Sequence, residues 1–285
     1  MWPVYRDATR ALELDLGSEY VSGQMFIPAG RSFYTNLGKA VVILEHGSHL
    51  DDITKAFGRR FTSLLDQGRR LYYGEKPSSR VKDFVKHQKT LTEEIFGGQL
   101  KLSSNDMHVA TPDGRKIPLS TLSSGQQELL PLMLFLQFWT SSLARPKLDR
   151  SSSDYLFVEE PEAHLFPASQ GALTQHLVET ANFGRGGGRL VVTTHSPYVL
   201  AKLNNLMQAW LSAQSGDRAA ASVSEVVPRN AWLPPDDLKA YAIDNRVMKG
   251  IIDESGLIDA SYLDSISNEI NQDFMQLLEI EAWDD

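Results

Sequence analysis

Two adjacent carboxylates carry the clearest chemistry in this 285-residue sequence. Glu159 and Glu160 directly follow an apolar run from Tyr155 to Val158 and precede Pro161. An uninterrupted apolar run of this length predicts a strand that is buried on both faces, as in a parallel sheet. Open α/β sheets bind ligands outside the carboxyl ends of their strands. Two acids at such an edge predict a site that holds a magnesium ion and steers a water molecule.

Such a pair suits the transfer of a phosphoryl group to water. This reaction needs neutralised charge on the phosphates and a nucleophile held in line with the leaving group. Glu159 is therefore the candidate magnesium carboxylate, and Glu160 is the candidate general base or water-orienting residue. The alternative interpretation is a solvated strand end before a helix N-terminus, where acidic side chains suit the helix dipole.

A second segment, LSSGQQE from Leu122 to Glu128, opens a long apolar helix. Ser123 or Ser124 is a suitable N-cap, and a glutamine three residues later completes a capping box. A serine hydroxyl and unpaired N–H groups at a helix N-terminus form an anion site, although an ordinary capped helix has the same pattern. The candidate nucleotide contacts are Ser123, Ser124, Gly125 and Gln126.

A histidine follows the next predicted buried strand. The segment RLVVTTHSP runs from Arg189 to Pro197 and contains His195. A lone histidine after a strand is more often structural than catalytic. We nevertheless predict that His195 faces the same hollow as Glu159 and Glu160, because parallel strands end at the same edge of a sheet.

The order of these motifs resembles that of ABC-type ATPases, in which the paired acids form the Walker B motif. Together with FIPAGRS at Phe26 to Ser32 and the tail around Glu254 to Asp259, the chain is similar to one branch of them from about Phe26 onward. This branch is the ABC-class AAA-domain ATPases related to the overcoming-lysogenization-defect proteins and AbiEii-type toxins, many of which act in phage defence.

The resemblance implies an ATPase that uses ATP and Mg²⁺, works as a homodimer and drives or gates an effector protein. It implies that the loop at Ser123 caps the γ-phosphate of ATP on the opposite subunit, and that His195 touches the same phosphate. Glu159 stands where the family often has aspartate. Residues 161–164 match the loop that crosses to the partner subunit, and Arg31 is a further candidate anion contact.

The P-loop pattern G-x-x-x-x-G-K-[ST] occurs nowhere in the sequence. The nearest candidate, Gly38-Lys39, is followed by Ala40, which supplies no hydroxyl group. We therefore expect the C-terminal portion of an ATPase, inactive alone, whose P-loop comes from missing residues or from a P-loop-bearing chain.

Composition favours an ordinary globular chain. The sequence has 42% hydrophobic and 22% charged residues, no cysteine and no signal peptide or apolar membrane span. The predicted location is the cytoplasm.

The net charge of −8 argues against a globally nucleic-acid-binding chain, but residues 59–89 carry nine Lys and Arg against three acids. This basic arm is either a solvated helical face or a contact for nucleic acid or an acidic partner.

The predicted fold class is α/β: a P-loop NTPase-like, mostly parallel sheet flanked by helices, with an inserted helical arm. The predicted parts are the remainder of an N-terminal ATPase lobe (1–50), the arm (51–98) and a C-terminal ATPase lobe (99–285). Periodicity and turn residues predict the elements. The strands are 24–27, 40–45, 222–227 and 239–243, with a loop at 28–38 and a hairpin at 100–119. Further helices are 169–181, 197–213 and 260–281.

Overall fold

The computed structural model describes residues 15–16, 20–37, 50–67, 79–102, 107–143, 153–183, 188–259 and 271–278. Contacts within the chain divide it into two units. The first comprises Met1–Ser169 and Glu179–Thr194, and the second comprises Gln170–Val178 and His195–Asp285. The predicted strand at 40–45 and the glycine-rich link at 184–187 lie outside the described residues, and the three-part division of the chain stays a prediction.

A parallel sheet of three strands forms the centre of the first unit. Its order is β1 (Val21–Ile27), β5 (Ser153–Glu159) and β6 (Gly188–Thr193). Helices flank this sheet, so the predicted α/β class is confirmed at that level. Leu156 and Val158 of β5 are buried on one face, whereas its other face is only half-buried. Strand β6 alternates between half-buried and exposed positions, so the prediction that it is fully buried is wrong for the described structure.

A short helix, α1 (Ser32–Leu37), replaces most of the loop predicted at 28–38. Tertiary burial stabilises it more than helix propensity does. The Tyr34 ring lies 4.6 Å from the ring of Phe57, and the Thr35 hydroxyl donates to the carbonyl of Gln127 at 2.6 Å. These contacts attach α1 to two longer helices.

The predicted arm forms two helices, α2 (Asp52–Gln67), which carries Phe57, and α3 (Ser79–Phe96). The apolar residues of α2 at helical spacing are buried with one exception, Ile53, which is exposed in the first turn. On α3, His87 lies 2.8 Å from the buried carboxylate of Glu179. The arm therefore packs one face and leaves the other in solvent.

The predicted hairpin at 100–119 is a three-stranded antiparallel sheet. It consists of β2 (Gln99–Leu102), β3 (Met107–Ala110) and β4 (Lys116–Pro118). The predicted turn is confirmed, because the N–H of Gly114 donates to the carbonyl of Thr111 at 3.0 Å. Gly114 has a φ of +87°, a conformation that glycine adopts without strain.

Helix α4 (Ser124–Leu143) follows the LSSGQ segment, as predicted. Its residues 128–136 are all buried, and the ring of Phe135 stacks on Phe57 of α2 at 4.6 Å. Helix α5 (Pro167–Phe183) lies between β5 and β6 in sequence and contributes residues to both units. The connection from β5 through a helix to a parallel neighbour is the usual βαβ arrangement.

The second unit contains α6 (Pro197–Ala213), which has the bounds that the sequence predicts. The strand predicted at 222–227 is wrong, because helix α7 (Asp217–Val226) covers these residues. Three consecutive alanines in its first half favour the helix. Strands β7 (Tyr241–Asp244) and β8 (Val247–Gly250) form a two-stranded hairpin.

The core of the second unit forms around α6, with Leu206, Met207 and Ala231 fully buried. The side-chain amide of Asn204 exchanges two hydrogen bonds of 2.8 Å with the backbone of Ile258. Of the predicted C-terminal helix, residues 271–278 are helical and the others are not described. No helix in the described part of the chain is long and apolar enough to cross a membrane.

Candidate functional site

The three parallel strands of the first unit end at one edge. Ile27 of β1 pairs with Val158 of β5, and Glu159 pairs with Thr193 of β6. Because the strands are parallel, the residues that follow each of them meet at their carboxyl ends, where open α/β sheets bind ligands. In the structure the two acids therefore lie at the edge of the parallel sheet, as the sequence predicts.

Glu159 is the last residue of β5, and its side chain is half-buried. One carboxylate oxygen, Oε2, accepts a hydrogen bond of 3.1 Å from the backbone N–H of Ala29. This contact ties the acid to the loop after β1. A carboxylate held by a backbone donor has a restricted set of rotamers, so its second oxygen has a defined direction.

Glu160 has a φ of +39°, which is unusual for a residue other than glycine. Its backbone N–H donates to the carbonyl of Thr193 at 3.0 Å and to the Thr193 hydroxyl at 3.3 Å. Backbone strain of this kind costs on the order of 1–3 kcal/mol and persists where surrounding contacts over-determine the conformation. The two adjacent acids thus differ in backbone conformation: Glu159 is the last residue of the strand, and Glu160 is left-handed.

The loop after the acids is a tight turn. The N–H of Ala163 donates to the carbonyl of Glu160 at 3.1 Å, and His164 adopts a left-handed φ of +61°. Glu162 is buried and accepts a hydrogen bond of 2.7 Å from the Thr194 hydroxyl. This bond links the turn to the residue that follows β6.

The N-terminus of α4 has the capping box that the sequence predicts. The N–H of Gln126 donates to the Ser123 hydroxyl at 3.3 Å, and the N–H of Ser123 donates to Oε1 of Gln126 at 3.2 Å. Ser123 and Ser124 are exposed. Gly125 is buried, and a Cβ atom there would lie 2.6 Å from the carbonyl oxygen of His164. The start of α4 therefore packs directly on the turn after the paired acids.

Arg31 has a different place from the one we predicted. Its side chain is 0% exposed, so the guanidinium cannot meet a ligand in solvent. Its nitrogen atoms donate to four backbone carbonyls at 2.7–3.1 Å. The acceptors belong to Pro28, Glu128, Glu159 and Glu160. The prediction of an anion contact is therefore wrong, because the guanidinium N–H groups donate to backbone carbonyls, including those of Glu159 and Glu160.

The charge of Arg31 is matched by Glu128, which is also buried. Nε of Arg31 lies 3.6 Å from Oε2 of Glu128, and the same oxygen accepts the N–H of Arg31 at 2.7 Å. Burial lowers the pKa of Arg31 from its ordinary value, and the nearby carboxylates, with Glu128 first, oppose that change. The Arg31–Glu128 pair therefore joins the loop after β1, helix α4 and the end of β5.

This pair is the part of the site that sequence reasoning missed. The signal was present, because an arginine in a Pro- and Gly-containing loop and a glutamate inside an apolar helix are both residues that seldom lie in a core without a partner. Nothing in the sequence, however, pairs two residues that are 97 positions apart.

His195 follows β6 by two residues and precedes α6. Its side chain is exposed, and it belongs to the second unit. The adjacent Ser196 caps α6, because its hydroxyl accepts from the N–H groups of Tyr198 at 3.1 Å and Val199 at 3.4 Å. That His195 faces the same hollow as Glu159 and Glu160 stays a prediction.

The donor set at the sheet edge fits Mg²⁺ that binds together with a nucleotide. Among the described residues, no group of three or more His, Asp and Glu side chains could hold a metal ion by itself. Mg²⁺ prefers oxygen ligands and is commonly bound by one or two carboxylates, waters and substrate phosphates. Glu159, with one oxygen held by Ala29, offers a single hard ligand of this kind.

The basic arm is partly described. Lys82 and Lys86 on α3 are exposed, whereas Lys89 forms a 3.7 Å ion pair with Glu93. Arg60 on α2 lies over the ring of Phe138 at 4.0 Å. Part of the arm's positive charge is thus engaged within the chain, and Lys82 and Lys86 are exposed cations among the described residues of the arm.

Comparison with known proteins adds a family to this geometry. The sequence model of the AAA ATPase domain matches residues 46–200, which is more than half of the chain. No curated protein sequence matches significantly. The matched region contains the capped start of α4, the two acids at the end of β5 and His195. On this evidence the chain belongs to the AAA ATPase domain family.

Proposed function

We propose that this chain forms the signature and Walker B part of an ABC-class ATPase that binds Mg·ATP and hydrolyses it. Family membership carries the general activity of ATP binding and hydrolysis. The observation that supports the detailed proposal is the edge of the parallel sheet, where Glu159 and Glu160 lie above the buried Arg31. The capped start of α4 packs on the same turn through Gly125.

In this proposal the two acids have separate tasks. Glu159, oriented by the N–H of Ala29, would hold the magnesium ion. The ion would neutralise charge on the phosphates during transfer. Glu160, whose backbone is fixed by Thr193, orients the attacking water and accepts its proton.

The exposed turn at Ser123 supplies an anion site to a second subunit. Its backbone N–H groups and its hydroxyl lie at the N-terminus of a 20-residue helix. The positive end of the helix dipole and these donors suit a γ-phosphate. We assign Ser123, Ser124, Gly125 and Gln126 to this contact, with Gly125 acting through its backbone. We also assign His195 to the γ-phosphate.

The phosphate cradle is proposed to come from a P-loop outside these 285 residues or on another chain, because the pattern is absent from the sequence. The competent assembly is then a dimer, or a complex with a P-loop-bearing chain, in which ATP lies between two surfaces. ATP turnover in this assembly gates an effector. Phage defence is the process that the family resemblance favours.

The proposal is tested by equilibrium binding of ATP to the protein purified with any chains that co-purify. We expect saturable binding that requires Mg²⁺ and weakens at least tenfold in Glu159→Gln. The variant Glu225→Gln, which changes an exposed acid on α7, is the matched control and keeps wild-type affinity. Binding that is insensitive to both Mg²⁺ and Glu159→Gln contradicts the assignment of the metal site.

A second candidate function is a non-catalytic module that binds nucleic acid or an acidic partner through the basic arm. The exposed lysines of α3 support it. A gel shift with DNA and RNA at several salt concentrations tests this idea, using Lys82→Gln with Lys86→Gln. Nucleic-acid binding that weakens with salt and is lost in this variant favours the arm as a binding surface. Unchanged binding excludes these two lysines.

A further inference from the structure

The backbone of Glu160 is held on both sides of its Cα atom. Its φ of +39° lies in the left-handed region, which residues other than glycine seldom adopt. The peptide before this Cα atom consists of the carbonyl of Glu159 and the N–H of Glu160. The peptide after it contains the carbonyl of Glu160 and the nitrogen of Pro161. The partners of these two peptides decide where the carboxylate of Glu160 points.

The peptide before the Cα atom is bonded at both of its polar groups. The N–H of Glu160 donates to the carbonyl of Thr193 at 3.0 Å. The carbonyl of Glu159 accepts a hydrogen bond of 2.7 Å from Nη1 of Arg31. Because a peptide is planar, two bonds at its opposite edges fix its orientation.

The peptide after the Cα atom is held by the same guanidinium. Nη2 of Arg31 donates to the carbonyl of Glu160 at 3.0 Å, and the N–H of Ala163 donates to the same oxygen at 3.1 Å. Pro161 has no N–H, so this carbonyl is the hydrogen-bonding group by which the peptide is held. Arg31 therefore contacts both peptides that flank the Cα atom of Glu160. With both planes fixed, φ, ψ and the direction of the Cα–Cβ bond are fixed as well.

We propose that Arg31 is a positioning residue, which fixes the backbone of Glu160 and thereby directs its carboxylate toward the attacking water. This inference rests on the proposed function, in which Glu160 is the general base. Arg31 is 0% exposed, so it acts through Glu160 and not on a ligand. A left-handed conformation persists where the surrounding structure over-determines it. Loss of the two bonds from Arg31 therefore lets the backbone of Glu160 relax and moves the base.

The planar guanidinium suits this task better than an ammonium group. Its nitrogen atoms point in fixed directions, whereas lysine has a single nitrogen on a flexible stem. In the structure Nη1 and Nη2 reach the carbonyls of Glu159 and Glu160, and Nε reaches that of Glu128 at 3.1 Å. One ammonium nitrogen cannot replace three nitrogens at separate positions.

Helix α4 holds the guanidinium in place. Oε2 of Glu128 lies 3.6 Å from Nε of Arg31 and accepts the backbone N–H of the same residue at 2.7 Å. Glu128 is 2% exposed and lies about one turn after the start of α4 at Ser124. The position of the base therefore depends on the helix whose first turn is the proposed anion site.

Arg31→Lys separates positioning from charge, because lysine keeps a cation near Glu128 and loses the fork of donors. ATP hydrolysis and equilibrium binding of Mg·ATP are measured on the protein purified with any chains that co-purify. We expect kcat to fall about 10–100-fold, the effect of a misplaced catalytic group. The dissociation constant of Mg·ATP should change by less than about threefold, because the contact that is lost serves the reaction and not binding.

Leu136→Ala is the matched control for lost stability. Leu136 is 0% exposed and lies on α4 about two turns beyond Glu128, so its truncation leaves a cavity away from the acids. This variant should keep kcat within about twofold of wild type although it unfolds at a lower temperature. If Arg31→Lys does not fold, Glu128→Asp provides the same comparison. It keeps both charges and withdraws the carboxylate that holds Arg31, and it should lower kcat without weakening ATP binding.

Combination with Glu160→Gln shows whether Arg31 acts through the base. Once the base is removed, a change in its position has little further effect. We expect Arg31→Lys to slow Glu160→Gln by less than about threefold, against about 10–100-fold in the wild-type background.

Two results overturn the role of Arg31 alone. One is equal slowing by Arg31→Lys in both backgrounds. The other is a wild-type kcat in Arg31→Lys while Glu160→Gln is slow. A wild-type protein that hydrolyses no ATP, or Glu160→Gln at the wild-type rate, overturns the proposed function and the role of Arg31 with it.

Discussion

Replacement of Arg31 by methionine tests the packing beneath the two acids. Methionine keeps much of the length of the side chain and removes its charge and its five N–H donors. Four backbone carbonyls then lose a donor, and the carboxylate of Glu128 keeps only the backbone N–H of residue 31. Because Arg31 is fully buried, water cannot replace the lost donors without rearrangement.

The expected loss of stability follows from the charge that remains buried, which is the carboxylate of Glu128. Breaking a buried ion pair by removal of one partner costs about 3–5 kcal/mol, because the other charge stays uncompensated. Arg31→Met should therefore lower the free energy of unfolding by about that amount, out of a typical total of about 5–15 kcal/mol. Urea denaturation followed by circular dichroism measures it. Arg115→Met, at a position where 71% of the side chain is exposed, should change stability by less than about 0.5 kcal/mol.

A double-mutant cycle with Glu128→Gln separates the charge from the lost packing. Glu128→Gln alone leaves the buried Arg31 cation without its partner, whereas the double variant removes both charges. The double variant should thus be more stable than the sum of the two single effects predicts, by at least about 1 kcal/mol. A loss of under about 1 kcal/mol in Arg31→Met, or strictly additive effects, would refute our account of this pair.

Four further substitutions have defined outcomes. Gly125→Ala should destabilise the protein by about 1–3 kcal/mol in thermal unfolding because its Cβ meets the carbonyl of His164, whereas Gly171→Ala, with nothing within 4 Å, should stabilise helix α5 by about 0.5–1 kcal/mol. Ser123→Ala should cost about 1 kcal/mol in urea denaturation, and equal stability would contradict the observed cap. Hydrogen bonds from the Thr54 hydroxyl and then its N–H hold the pKa of Asp51 below its ordinary value. The extra stability of wild type over Asp51→Asn should therefore be complete above the ordinary aspartate pKa and vanish as the pH falls through the lowered folded pKa; a gap that is constant with pH would contradict this.

Local patterns predicted much of the fold. Three features depend on neighbours within a few residues, so they could be predicted from local sequence. They are the strand before Glu159, the capping box at Ser123 and the turn at Gly114. The order of strands around β5 follows from the preference for parallel neighbours that are connected through helices.

Two of the failed predictions, those for residues 32–37 and for Arg31, have tertiary causes. Helix α1 forms because Tyr34 and Thr35 pack on distant helices, which no local propensity reveals. The strand predicted at 222–227 is wrong for a local reason, because the preceding alanines favour a helix that continues to Val226. The role of Arg31 depends on three segments meeting, the farthest 129 residues away.

The rate of phosphate release from Mg·ATP tests the central claim most directly. Wild-type protein, purified with any chains that co-purify, is compared with Glu160→Gln at saturating ATP. We predict that Glu160→Gln binds ATP as tightly as wild type and releases phosphate about 10²–10⁴-fold more slowly, because it loses a general base. Equal rates in the two proteins would contradict the assignment of Glu160 and with it the proposed site.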